Sequence, residues 1–463
     1  MSTDTPVAPS GPQPHSALQS SATTSAGRID PFDALERTLA RIADSDDPAV
    51  FTQVCAQRAR RQAQASRRRH WSGAALGPLD GVPVAWKDNF DLKGQVTTAG
   101  ARCLDQDPPA SEDAPVVRAL EAAGMVSVGR VNMSEFAFSG LGLNPHFGTP
   151  RNPHSPSDDP RAPGGSSSGS AVAVALGLVP ISIGTDTGGS VRIPAAFNGV
   201  VGYKASIGRY PMQGVFPLSI TLDSLGVLCR TVVDARVVDA AMRNVAGYVA
   251  RPASLRGVHV VAPVNVVLDD CEPAVLANFE TALHRLEQAG AIIERRRIVA
   301  FDEIMALSLV HGAIVTAEAY ALHRQRLDGA AAARMDRRVV ARTRMGAAIS
   351  PASYQTLLQA RQRLIAEVSA ELTDSLIACP TVAHTAPSIA ALEADDERFA
   401  VINIKTLRNT MLGNFLDWCG VSLPSGTGAA GLPTALLLSG MRGTDDRLLS
   451  LAQTAQAVVY PQV

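Results

Sequence analysis

Apolar residues recur at helical spacing from about residue 30 onward. In the segment DPFDALERTLARIADSDDPAVF, Asp30 is a candidate N-cap and Pro31 takes the first helical position. Within residues 113–136, DAPVVRALEAAG predicts a helix that turns at Gly124, and MVSVGRV predicts a buried strand. A helix followed directly by a buried strand is typical of a sheet that is flanked by helices.

The same alternation continues along the chain. Residues 77–90 predict a turn, a short strand and a loop, and SGSAVAVALGLVPISIG predicts a small-residue helix and then a short strand. Residues 257–298 predict a strand, a helix and a second strand. Residues 301–345 and 352–377 are predicted to be mainly helical. The final apolar run predicts strands around a Gly-rich turn, followed by a terminal helix.

No internal repeat and no clear linker divides this pattern, so we expect one large α/β domain over residues 29–463. Residues 1–28 are rich in Ser, Thr, Pro and Ala and contain no apolar segment. They predict a disordered tail and not a signal or transit peptide. The Gly/Ser/Pro-rich stretch at about 139–170 is too long for an ordinary connection, and is therefore either disordered or functional.

Composition narrows the class of function. The chain has 463 residues, 46% hydrophobic and 18% charged, with a formal net charge of −1, so it lacks a basic field for nucleic acid. The basic run at 58–70 is interpreted as a solvated helix face. The six cysteines are scattered and the nine histidines lack metal-ligand spacing, so we expect reduced thiols, no metal and no cofactor. No apolar stretch reaches the ~18 residues of a membrane span, and we expect a cytoplasmic protein.

Three segments place polar residues in apolar or small-residue surroundings. Lys87 closes the apolar strand of GVPVAWKDNF, where it either extends to solvent or is a buried amine whose lowered pKa makes it a usable base. PGGSSSGS, at 163–170, directly precedes a small-residue helix. GTDTGGSVRIP, at 184–194, places two glycines before Ser190; it is either a structural turn or a loop whose amides face a ligand.

Two motif matches are discounted. Residues 165–169 fit G-x-S-x-G, but the preceding DDPRAP cannot be the buried strand that a nucleophile elbow requires. Residues 426–431 fit G-x-G-x-x-G, but a strand-like segment follows them where a dinucleotide site needs a helix. We interpret the second match as a plain turn.

Taken together, these segments resemble the amidase signature family. Residues 164–206 look like its Gly/Ser-rich signature, and PVAWKDNF looks like its upstream lysine motif. VNMSEFAFSG, FGTPRNP, TLDSLGVLCR and GLPTALLLSG match further blocks, so the likeness covers about residues 30–460. The resemblance, closest to bacterial small-molecule amidases, implies a central twisted mixed sheet flanked on both sides by helices. It also implies cleavage of an amide or related C–N bond through a serine acyl-enzyme.

The resemblance assigns roles to individual residues. In a Ser–cis-Ser–Lys triad, Ser190 matches the nucleophile, Ser166 the bridging serine and Lys87 the base. The implied oxyanion-hole donors are the amides of Thr187, Gly188, Gly189 and Ser190.

Other residues of these loops have expected structural roles. The family's usual GGSSGGS is GGSSSGS in this chain, so Ser168 stands where glycine is common; we expect a minor effect on loop shape. Asp186 and Arg192 flank the nucleophile turn and are expected to brace it by a charge-assisted contact.

The substrate is specified less closely. The substrate-binding candidates are Phe138, Ser139, Gly140, Leu141, Phe216, Ile220 and Trp418. We expect at least half of the apolar candidates to belong to the core. Their apolar balance favours a neutral aryl or alkyl amide, or a carbamate, over a charged acid. The expected partners are a small-molecule amide and a second copy in a homodimer, with no nucleic acid and no membrane. Two alternatives stay open: the amidase subunit of a tRNA-dependent amidotransferase, and a catalytically inactive binding protein on the same fold.

Overall fold

A computed structural model describes residues 30–460 together with Ala17. All but one residue of the predicted disordered tail, residues 1–28, lies outside the described residues. The strands are β1 (Phe51–Val54), β2 (Pro83–Lys87), β3 (Val126–Val131), β4 (Ile181–Asp186), β5 (Val201–Lys204), β6 (Ser224–Cys229), β7 (His259–Pro263), β8 (Ile292–Arg296), β9 (Leu376–Pro380), β10 (Cys419–Thr427) and β11 (Pro433–Gly440).

Helices occupy most of the remaining described chain. They are α1 (Pro31–Ala43), α2 (Ala56–Trp71), α3 (Pro115–Ala122), α4 (Ser168–Ala175), α5 (Arg192–Phe197), α6 (Val232–Met242), α7 (Pro273–Gln288), α8 (Val299–His311), α9 (Ile314–Leu327), α10 (Arg337–Arg344), α11 (Pro351–Glu371), α12 (Ile389–Glu393), α13 (Asp396–Phe415) and α14 (Asp445–Val459). Short 3₁₀ turns lie at Arg102–Leu104, Glu135–Ala137, Ala330–Arg334, Met345–Ala348 and Ala429–Gly431.

The described strands form one mixed sheet of eleven strands, in the order β1-β3-β2-β4-β6-β5-β10-β11-β9-β7-β8. β2 runs parallel to both β3 and β4, whereas β4 is antiparallel to β6. Because parallel strands end at the same edge, the carboxyl ends of β2 and β4 lie side by side. Lys87 at the end of β2 and Asp186 at the end of β4, which are far apart in sequence, are therefore brought to the same edge of the sheet.

Both faces of the sheet are covered. Along β2, Val84 and Trp86 pack into the largest apolar cluster, whereas Ala85 between them belongs to a different cluster on the other face. Alternate residues of a strand point to opposite faces, so a strand that is buried at every position needs helices on both sides. The predicted α/β fold, a central mixed sheet flanked by helices, is confirmed.

Local predictions hold where the sequence signal is strong. Asp30 caps α1, since its Oδ1 accepts hydrogen bonds from the amides of Phe32 at 2.8 Å and Asp33 at 3.2 Å. The predicted helix over 352–377 is wrong at its end, because α11 stops at Glu371 and β9 begins at Leu376. Strong core burial of β9 outweighs the helical pattern that precedes it.

One stretch differs from the sequence expectation about membranes. By length and a mean hydropathy of 1.5, residues 299–327 satisfy the criteria of a membrane span, which core helices of globular proteins also satisfy. Two helices, α8 and α9, make up the stretch, and Gly312, with φ of 79°, lies between them. Both helices contribute residues to the pocket described below.

Candidate active site

Lys87 is fully buried at the carboxyl end of β2. Its Nζ donates hydrogen bonds to Ser166 Oγ at 2.7 Å and to Thr185 Oγ1 at 2.8 Å. Burial lowers the pKa of Lys87 from 10.5 to about 7, against the opposing influence of the Asp186 and Asp223 carboxylates. An appreciable fraction of this amine is therefore neutral near pH 7 and has a lone pair free to take a proton.

Ser166 lies in the segment that precedes α4, and the peptide bond between Gly165 and Ser166 is cis. Gly165 has no room for a side chain, because a Cβ would lie 2.7 Å from Ser139 O and 2.8 Å from Ser134 Oγ. The amide of Ser167 donates to Ser190 O at 3.2 Å, so this segment is joined directly to the nucleophile turn. The long Gly/Ser/Pro-rich stretch is thus ordered and buried around the candidate serines.

Asp186 organises the turn that carries Ser190. Its carboxylate accepts the amides of Gly189 at 2.8 Å and Val191 at 3.0 Å, and it forms a two-bond ion pair with Arg192. Asn414 of α13 donates to the same carboxylate at 2.9 Å. Burial would raise the pKa of Asp186, but the adjacent Arg192 guanidinium holds it well below its usual value. The predicted brace between Asp186 and Arg192 is present.

The four predicted amide donors of the oxyanion hole are not equivalent. The Gly189 amide is already engaged by Asp186, so it is unavailable to an oxyanion in this conformation, which corrects the prediction for that residue. For the amides of Thr187, Gly188 and Ser190, no acceptor occurs among the described residues. These three remain candidates to face a developing negative charge.

A pocket opens beside Ser190, with a volume of about 110 Å³. Its lining residues come from the nucleophile turn, the segment after β3, the segment before β6, and helices of the C-terminal half. They are Ala137, Phe138, Ser139, Thr187, Gly188, Ser190, Leu218, Leu222, Ile304, Ser308, Gly312, Ala313, Ile314, Val315, Arg342, Leu357, Leu407, Met411, Asn414 and Phe415. A mainly apolar wall with a few polar groups is typical of a small-molecule site.

A second buried carboxylate lies near Lys87. Asp223 Oδ1 accepts from Thr187 Oγ1 at 2.5 Å, and Oδ2 accepts the amides of Leu218 at 2.9 Å and Ser219 at 3.1 Å. Burial raises its pKa to about 6. Asp223 therefore ties the nucleophile turn to the segment that supplies Leu218 and Leu222 to the pocket.

Comparison with known proteins agrees with this geometry. A sequence model described as Amidase matches residues 33–449. The chain belongs to the Amidase family. It is 36% identical over 392 residues to 2-amino-5-chloromuconic acid deaminase of Comamonas testosteroni, covering 84% of this chain and 83% of that protein. It is 31% identical over 471 residues to mandelamide hydrolase of Pseudomonas putida, covering 93% and 89%. A solved crystal structure of an amidase superposes with a TM-score of 0.85 at 30% identity, covering 96% of this chain and 100% of the other.

This amidase is accordingly a hydrolase that acts on C–N bonds. Among its described residues, no cluster of three His, Cys, Asp or Glu side chains is placed to hold a metal ion. The 165–169 motif follows no strand and leads into α4, and the 426–431 motif spans the end of β10 and the turn that leads to β11. The first is therefore not a nucleophile elbow, and the second is not a dinucleotide-binding motif.

Two of the predicted substrate-binding residues of the amidase, Phe138 and Ser139, line the pocket. Five others do not, and each needs a correction: Gly140, Leu141, Phe216, Ile220 and Trp418.

The reasons for these corrections differ. Gly140 is held by the Asn403 side chain and Leu141 packs into a separate apolar cluster. Phe216 stacks on Phe136, with ring centroids 5.7 Å apart. Ile220 is 77% exposed, and Trp418 is buried in the core.

Sequence reasoning missed most of the pocket wall of the amidase. Leu407, Met411 and Phe415 lie four residues apart on α13, and Ile304 and Ser308 lie four apart on α8. That spacing signals one face of a helix but not what the face meets. Arg342 on α10 was also missed, although a charged residue in an apolar pocket is informative once the packing is known.

Proposed function

We propose that this amidase hydrolyses a small-molecule carboxamide, or a related carbamate or urea C–N bond, through an acyl-enzyme on Ser190. Ser166 and Lys87 complete the triad. The observation that carries the proposal is the 2.7 Å hydrogen bond between Lys87 Nζ and Ser166 Oγ in a fully buried site. A serine hydroxyl is a weak nucleophile until a base takes its proton, and a neutral lysine beside a relaying serine supplies such a base.

Each proton has a place in this scheme. Neutral Lys87 takes the proton of Ser166, Ser166 takes that of Ser190, and Ser190 Oγ forms a bond to the amide carbonyl carbon. The amides of Thr187, Gly188 and Ser190 stabilise the oxyanion. When the C–N bond breaks, Ser166 passes a proton to the leaving nitrogen and regains one from Lys87. Water then repeats the sequence on the ester, releasing the acid and restoring Ser190.

Serine-directed labelling tests the nucleophile. A fluorophosphonate is expected to add one adduct to the wild-type chain, located at Ser190 by peptide mass spectrometry, and Ser190→Ala is expected to lose both the adduct and turnover. Ser167→Ala serves as the matched control, because its hydroxyl makes only a 3.4 Å hydrogen bond to Thr185 O. An unlabelled wild type would favour the inactive binding protein, and an adduct on another serine would refute the assignment.

Substitutions of the other two triad residues are expected to lower turnover to different extents. Lys87→Ala is expected to lose nearly all turnover, and Ser166→Ala to retain a small residual rate. Loss of a residue that acts as part of a triad lowers kcat by on the order of 10⁴–10⁶. Full activity of Lys87→Ala would refute the assigned base.

The names of the two relatives leave the charge of the substrate open, because one refers to a chlorinated muconic acid and the other to a mandelamide. We propose a cytoplasmic, self-contained homodimer that needs no partner subunit. Turnover of a panel of aryl amides, aliphatic amides, ureas and carbamates, with gel filtration of the purified chain, tests this. Activity that appears only with co-purified partner subunits would favour the tRNA-dependent amidotransferase.

A further inference from the structure

Arg342 is the only charged side chain among the described residues that line the pocket. No aspartate or glutamate lines the pocket with it, and no carboxylate of the described residues lies within ion-pair distance of its guanidinium. Two other arginines of α10 are paired: Arg337 with Asp396 at 2.8 Å, and Arg338 with Asp336 at 2.7 Å. The one arginine of this helix that faces the pocket is thus a cation without a counter-charge.

Arg342 is held in place from two sides. Its Nη1 donates to Phe138 O at 3.0 Å, and its guanidinium carbon lies 4.2 Å from the centroid of the Phe138 ring. The start of α10 is fixed to the same segment, because the Asp336 amide donates to the Glu135 carboxylate at 3.0 Å. Segment 135–138 and α10 are therefore joined at both ends, and the guanidinium has a fixed position beside the pocket. Only Nη1 has a hydrogen-bond acceptor among the described residues.

The electrostatics of this position favour an anion. Burial lowers the pKa of Arg342 to about 10, so the side chain is still protonated near pH 7. Removing a cation from water without a counter-charge is unfavourable, and a ligand carboxylate would supply both the charge and the missing acceptors. The planar guanidinium matches a carboxylate with two parallel hydrogen bonds, which a point charge cannot do.

We propose that Arg342 binds a carboxylate on the substrate, so that this amidase acts on a carboxamide that carries an acid group away from the scissile bond. The proposal rests on the proposed function for the scissile amide, and departs from the expectation of a neutral amide. Ser190 and Arg342 lie on the wall of one pocket, to which α13 contributes mainly apolar side chains. A short chain with an amide at one end and a carboxylate at the other fits that distribution of groups.

Matched substrate pairs test the proposal. Monoamides of dicarboxylic acids with four to six carbons, such as adipamate, are compared with neutral amides of the same chain length, such as hexanamide. The readout is the ratio of kcat/KM for acid over neutral amide, which cancels any general loss of activity. The wild type is expected to favour one of the acids. Arg342→Met is expected to lower that ratio by about 30-fold or more, mainly through KM, and Arg342→Lys to recover part of it.

Arg344→Met is the control, since this exposed arginine lies on the same helix but does not line the pocket. It is expected to leave the ratio unchanged. An equal loss of acid and neutral turnover in Arg342→Met would mean that Arg342 only supports the segment at Phe138, and would overturn the proposal. So would a wild type that prefers the neutral member of every pair.

A binding measurement separates this inference from the proposed function. Adipamate and its homologues are titrated calorimetrically into Ser190→Ala and into Ser190→Ala/Arg342→Met. Binding that is lost only in the double variant supports the carboxylate site even if the wild type hydrolyses nothing. Turnover in the wild type without any such difference in binding refutes the site while leaving the proposed hydrolysis intact.

Discussion

Replacing Lys87 by Met tests whether the buried amine is neutral in the folded enzyme, independently of any substrate. Burial lowers the pKa of Lys87 to about 7, whereas the unfolded chain keeps the ordinary value near 10.5. Between these two pH values the unfolded chain binds more protons than the folded one. The free energy of unfolding of the wild type therefore rises as pH rises from 7 to 10.5, and the penalty is complete below pH 7.

The two pKa values correspond to a penalty of about 4 kcal/mol at pH 7 and about 2 kcal/mol at pH 9. Lys87→Met removes the penalty and the hydrogen bonds to Ser166 and Thr185. The loss of those bonds lowers stability by an amount that does not change over this pH range. The stability of the variant relative to the wild type is thus expected to fall by roughly 2 kcal/mol between pH 7 and pH 9.

Urea unfolding at pH 7, 8 and 9, followed by tryptophan fluorescence, measures this difference. Lys93→Met is the control, because Lys93 is exposed and does not line the pocket. A Lys87→Met difference that stays constant from pH 7 to pH 9 would mean that the folded enzyme holds a charged lysine. Such an amine could not act as the base.

Three further changes have expected outcomes. Gly189→Ala should abolish activity and destabilise the fold, since Gly189 has φ of 132° and a Cβ would collide with Thr410. Gly188→Ala should keep the fold, because the atom nearest to its new Cβ is 3.6 Å away. Equal melting temperatures of the two variants would contradict this difference. Ser168→Ala should raise the free energy of urea unfolding by ~1 kcal/mol, because the Ser168 hydroxyl is buried without a partner among the described residues; a destabilised variant would show that it has one. The pH profile of kcat/KM should rise to a plateau with an apparent pKa of about 7, the value of Lys87, and a flat profile from pH 6 to 9 would exclude that base.

The parts of the site that sequence patterns could predict are those encoded by local chemistry. A lysine at the end of an apolar strand and a serine after paired glycines are unusual enough to be noticed, and parallel pairing of β2 with β4 then brings them together. The pocket wall depends instead on which helix faces pack around the nucleophile turn. An aromatic residue such as Trp418 has the same pattern in a core as in a pocket, and Ile220 lies on an exposed loop that periodicity does not describe.

Charge was the other feature that local patterns could not resolve. Arg342 occurs in a helix with four arginines, and only tertiary packing shows that Arg337 and Arg338 have carboxylate partners while Arg342 has none among the described residues. The same holds for Gly189, whose amide direction depends on where the Asp186 side chain points. Patterns therefore predicted residues that the fold brings together, Lys87 and Ser166, and predicted the residues of the pocket wall poorly.

The link between Asp186 and Asn414 bears on how the specificity of this enzyme can change. Because the carboxylate that shapes the turn carrying Ser190 is also bound by α13, any shift of that helix is transmitted to Ser190. Substitutions at Met411 that enlarge the pocket would tend to disturb catalysis as well. Ile304 and Ser308 on α8 make no hydrogen bond to the turn among the described residues, although Ile304 packs in one apolar cluster with Phe415 of α13. Directed evolution toward bulkier amides is therefore best begun from α8, where a substitution breaks no hydrogen bond to the turn.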